Sequence, residues 1–65
     1  MIYKDYKSFR VKHGTIDVFV IEYDGKQSIQ VFITDHLCHS TSSASFTKEQ
    51  FETFISFLDN LNDEL

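Results

Sequence analysis

The stretch TIDVFVIEYDGKQSIQVFIT, residues 15–34, decides the fold. Asp24-Gly25 at its centre is the strongest short-range hairpin signal, because a two-residue turn of the right twist needs positive φ at both positions. Zipping the flanks about that turn sets Tyr23 opposite Lys26, Val20 opposite Ile29, Val18 opposite Val31 and Ile16 opposite Ile33. One face then reads Ile16, Val18, Val20, Ile29, Val31 and Ile33. The other still carries Phe19, Ile21, Tyr23 and Phe32 among Asp17, Lys26, Ser28 and Gln30. An antiparallel sheet with one wet face should not be this apolar on both sides. The second face is therefore expected to meet another copy of the chain or a partner.

Upstream, SFRVKH (8–13) alternates, and His13-Gly14 predicts a turn into the next strand. Pairing Lys12 with Thr15 sets Val11 opposite Ile16 and Phe9 opposite Val18 on the aliphatic face. The same register places Arg10 opposite Asp17, an opposite-charge cross-strand pair. Downstream, residues 35–45 (DHLCHSTSSAS) lose the alternation and predict a loop, with a short edge strand near Ser43 to Phe46 as an option. Thr47 with Gln50 three residues on is a capping box, and Phe46 and Phe51 occupy the positions of a hydrophobic staple. Phe51, Phe54, Ile55, Leu58 and Leu61 follow at helical spacing, with Phe57 at the edge of that stripe. A helix of about 15 residues is roughly 22 Å long and 10 Å wide, enough to cover one face of a three-stranded sheet. The expected fold is α+β: a three-stranded, optionally four-stranded, antiparallel β-meander with one C-terminal helix packed on one face. Residues 1–65 form one domain.

So short a chain buries only about 60% of its unfolded surface, and small domains compensate with disulfides, a metal or oligomerisation. Cys38 is the single cysteine, which excludes an internal disulfide and fits a reducing compartment. The opening MIYKDYKSFRVKH has no apolar leader core, and the longest apolar run, Val18 to Ile21, is bounded by Asp17 and Glu22. A cytoplasmic protein without membrane contact is expected. The net charge of −4 is uneven: Lys4, Lys7, Arg10 and Lys12 against Asp5 give residues 1–13 a charge of +3, whereas Lys48 against Asp35, Glu49, Glu52, Asp59, Asp63 and Glu64 gives residues 27–65 a charge of −5. Such a basic entry and acidic helix can steer a partner or pair head to tail in a dimer.

Chemistry-bearing residues are sparse. Asp35-His36-Leu37-Cys38-His39 is the one cluster of coordinating atoms, but Cys38 and His39 are adjacent and the usual paired spacing of a zinc site is missing, so no metal or other cofactor is expected. A thiol–imidazole nucleophile from the same segment would need an orienting third group and a pocket. Asp24 belongs to a turn, Glu49 and Glu52 to an exposed helix face, and Gly14 and Gly25 read as turn glycines, so no paired acids and no phosphate loop emerge. A non-enzyme is expected.

The order of strands followed by an acidic-capped helix (SFTKEQFETFISFL) resembles, over Gly14 to Leu58 and as a pattern only, the single-stranded-DNA-binding transcriptional coactivator family. The chain departs from that family in its acidic balance and in its short Asp24-Gly25 turn. The expected function is a protein-interaction module, working as a homodimer through Phe19, Ile21, Tyr23 and Phe32 with Phe57 extending the contact, of the kind that phages and mobile elements encode to inhibit a host protein. The alternatives are a single-stranded nucleic-acid binder, or a nucleotide-sequestering protein, with aromatics as stacking platforms and Lys7, Arg10 and Lys12 as anion contacts.

Overall fold

The Asp24-Gly25 hairpin forms in the expected register. In a computed structural model describing all 65 residues, β2 (Gly14–Tyr23) and β3 (Lys26–Asp35) pair from Tyr23↔Lys26 through Ile16↔Ile33 to Gly14↔Asp35. Asp24 (φ 54°) and Gly25 (φ 76°) both take the left-handed conformation that such a turn requires. β1 (Ile2–Val11) lies on the far side of β2, and β4 (Ser40–Thr47) on the far side of β3. The result is a four-stranded antiparallel meander, followed directly by helix α1 (Lys48–Asp63).

Two strands differ from expectation. β1 starts at Ile2 instead of Ser8, and its turn is Lys12-His13, one residue earlier than predicted. Val11 therefore pairs with Gly14 and Phe9 with Ile16, a two-residue slip that preserves the faces but breaks the expected Arg10–Asp17 pair. Ser8 stands opposite Asp17, and Arg10 opposite Thr15. The reason is steric: Gly14 is a strand residue whose missing Cβ admits the Thr34 carbonyl, so it is unavailable to the turn. β4 is the optional edge strand near Ser43 to Phe46, and it extends further than expected, over the eight residues Ser40–Thr47. Its side chains are small, but its backbone completes the β3 ladder. The loop preceding β4 shrinks to four residues, held where the Asp35 carboxylate accepts from the amides of Leu37 (2.8 Å) and Cys38 (3.2 Å).

The helix start is as read. Gln50 N–H donates to Thr47 Oγ1 and Thr47 N–H to Gln50 Oε1, both at 3.1 Å, and the Phe46 and Phe51 rings close the staple at 5.9 Å. Thr47→Ala removes one half of this box and should cost about 1 kcal/mol. A thermal melt should show a midpoint lowered by about 4–8 °C, and an unchanged midpoint would place the helix start elsewhere.

The helix does not cover its face. It approaches only β3 and β4, through Phe46, Phe51 and Phe54, with Phe46 and Phe54 stacked at 5.3 Å. Of the apolar side chains, only Ile21 and Ile29 are buried. The molecule is a 36 × 30 × 15 Å slab with a radius of gyration of 13.3 Å, where a compact chain of this length has about 11 Å.

Candidate functional site

One face of the sheet carries a row of aromatic rings. Tyr3 and Tyr6 are three residues apart and would point to opposite faces of a regular strand. A β-bulge at Lys4 inserts one extra residue, so that Tyr3 pairs with Ile21 and Tyr6 with Phe19 on the same face. Phe19 sits at the centre, with ring centroids 5.9 Å from Tyr3, 4.7 Å from Tyr6 and 5.6 Å from Phe32. These edge and tilted contacts half-bury Phe19 and Phe32, and Ile21 beside them is buried. The tyrosines stay more than half exposed. Strand parity alone does not place both tyrosines in this row, because a bulge leaves no local signal beyond the Lys4-Asp5 break in alternation. Lys4 Nζ lies 3.4 Å from Glu22 Oε2, the chain's one ion pair, and Asp5 Oδ1 accepts from the Tyr6 amide at 2.8 Å, fastening the bulge from both sides.

Asp17 lies on the same face. Hydrogen bonds from Ser8 and from the Tyr6 hydroxyl (2.9 Å) hold its carboxyl below the ordinary aspartate value. The amides of Cys38 and Leu37 do the same to Asp35. A carboxyl with a depressed folded pKa contributes stability that is present above its unfolded pKa of about 3.9 and lost as pH falls through the lower folded value. The melting midpoint should therefore fall as the medium is acidified below about pH 4. Combining Asp17→Asn with Asp35→Asn should flatten that acid limb, as a series of thermal melts against pH would show. An unchanged acid limb would mean that neither hydrogen-bond set is formed.

The opposite face is aliphatic and holds the helix. Between α1 and the sheet runs a cleft of about 260 Å³ lined by Val31, Ile33, Ala44, Phe46 and Phe54 among others. Beyond it Phe9, Val11 and Ile33, and on the helix Ile55, Leu58 and Leu61, are exposed.

Of the residues proposed for a contact surface, Phe19, Ile21, Tyr23 and Phe32 share one face, by their register. Phe57 is exposed on the helix, on the other side of the sheet, and does not join them. Lys7, Arg10 and Lys12 do not converge either: Lys7 pairs with Val18 on the aliphatic face, Arg10 with Thr15 on the aromatic face, and Lys12 lies in the turn. His36, Cys38 and His39 occupy the β3–β4 loop, with His39 at φ 53°, and no three His, Cys, Asp or Glu side chains gather closely enough to hold a metal ion. The His36 amide donates to the His13 carbonyl at 2.8 Å, tying the two loops at that end of the sheet. No helix is long and apolar enough to cross a membrane. No family model matches this chain, and neither a curated protein nor a solved structure is similar to it.

Proposed function

We propose that this chain is a non-enzymatic protein-interaction module that works as a homodimer and binds a further protein with its aromatic face. The observation that carries the reading is the Tyr3–Tyr6–Phe19–Phe32 row, an apolar surface with polar tips that no element of the chain covers. Aromatics, tyrosine above all, are what protein-binding surfaces concentrate, since each ring offers much area at little entropic cost. The acidic helix fits a cytoplasmic inhibitor of phage or mobile-element type, competing for a basic surface on a host protein. The same row favours one second reading, stacking of single-stranded nucleic acid or of a nucleotide base. Against it stand the net charge of −4, the Asp17 carboxylate within the row, and the dispersal of Lys7, Arg10 and Lys12.

Titration with a labelled single-stranded oligonucleotide at low and high salt separates the two. We expect no saturable binding. Binding that weakens steeply with salt would favour the nucleic-acid reading. In parallel, a host protein retained by the wild type and lost from the Tyr3→Ser/Tyr6→Ser variant supports the module. Equal retention by both would remove the aromatic face from the interaction.

A further inference from the structure

We infer that a second copy of this chain docks on the helix-bearing face, each copy laying the free half of α1 over the open β1–β2 half of the other. This rests on the self-association proposed above and adds which face closes.

The two faces differ in what they lack. On the aromatic face the rings bury one another sideways, and the exposed parts are tyrosines whose hydroxyls remain well placed in water. On the helix-bearing face the exposed apolar groups are Phe9, Val11, Ile33, Ile55, Leu58 and Leu61, whose side chains carry no polar atom, with Asp5, Lys7 and Ser42 interspersed by register. The helix contributes its first turns to β3 and β4 and nothing to β1 or β2. This face is the unfinished half of a core.

Area identifies the occupant. The chain exposes 5466 Å², whereas a folded monomer of this mass exposes roughly 4,300 Å². The excess, roughly 1,200 Å² per chain, is one partner's share of an interface of obligate-homodimer size. With two buried apolar side chains, Ile21 and Ile29, the chain has too little core to persist alone, so the closing surface must be present whenever the chain is made. A second copy meets that condition. The face is also self-complementary, as a two-fold contact demands: it offers both a projecting helix with Leu58 and Leu61 and a receiving surface with Phe9, Ile16 and Val18. Charge agrees. Lys7 on β1, Lys12 in the turn after it, and Asp59 and Asp63 on the helix have no ion-pair partner within their own chain, and a two-fold arrangement brings the basic strand of each copy toward the acidic helix of the other.

Sedimentation velocity on three proteins, with hydroxyl-radical footprinting of the wild type, tests this. The wild type should sediment as a dimer at micromolar concentration. Leu58→Glu/Leu61→Glu should weaken association by roughly 1000-fold or more, because two carboxylates would be buried unpaired. Tyr3→Ser/Tyr6→Ser should remain dimeric. Footprinting keeps the proposal testable if the leucine variant fails to fold. Phe9 and Tyr3 are 60% and 63% exposed in the single chain. Normalised to the unfolded protein, Phe9 should be protected in the dimer while Tyr3 labels freely. A monomeric wild type overturns both self-association and the docking face. A dimer in which Phe9 labels as freely as Tyr3, or one lost in the tyrosine variant and kept in the leucine variant, overturns the docking face alone.

Discussion

Gly14→Ala should unfold this protein or lower its melting midpoint by roughly 12–24 °C, the equivalent of about 3 kcal/mol in a domain of this size. Gly14 sits in the interior strand β2, paired at once with Val11 of β1 and Asp35 of β3. A Cβ built on it collides with the Thr34 carbonyl oxygen and falls 3.0 Å from its carbon and 3.4 Å from the Asp35 Cα. All three are backbone atoms, so no rotamer change relieves the clash. The strands must part where the β1–β2 turn and the β3–β4 loop are tied through His36 and His13. A chain of this length has only about 3–10 kcal/mol of stability to lose. Gly25 supplies the contrast. It has φ +76° but open space around it, so Gly25→Asn, which tolerates the left-handed region, should melt within a few degrees of the wild type. Paired circular-dichroism melts check both. If Gly14→Ala melts like the wild type, the two strands are not this close.

Phe46→Ala should release the helix from the sheet. Phe46 stands opposite Ile29, the most buried apolar side chain, and its ring meets Phe51 at 5.9 Å and Phe54 at 5.3 Å. These ring pairs join α1 to β4 of its own sheet. Truncating Phe46 removes the staple, uncovers Ile29 and should cost about 3 kcal/mol. Hydrogen exchange read residue by residue is the informative measurement. Amides of residues 48–63 should lose protection well before those of the β2–β3 ladder, because a 16-residue helix without docking is marginal in water. Helix protection equal to the wild type's would mean that α1 is held by something other than Phe46.

What could be read from the chain was whatever is decided between near neighbours. Asp24-Gly25 places its own turn and thereby the whole β2–β3 register, and Thr47, Gln50, Phe46 and Phe51 place the helix start. Where partners are distant, the reading slipped. His13-Gly14 looked like a turn because the carbonyl that needs Gly14 bare belongs to Thr34, twenty residues away. The fourth strand was legible only as an option near Ser43 to Phe46, and its start at Ser40 was not, because small polar side chains carry no period although the backbone has a ladder waiting in β3. Of the candidate site, Phe19, Ile21, Tyr23 and Phe32 were found by parity alone, whereas Tyr3 and Tyr6 reached the same face through a bulge that parity cannot foresee.

The sequence by itself thus determined the α+β class, the central hairpin, the two apolar faces of the sheet and the capped C-terminal helix. All of these follow from backbone conformation and side-chain period within a few residues. The tertiary structure alone decided that β1 carries its tyrosines beside Phe19, that Gly14 is a packing position, and that α1 covers only β3 and β4 of its face. These depend on where a bulge falls, how closely two backbones approach and the angle at which a helix leaves a sheet. Such quantities arise only when segments distant in the chain compete for the same space.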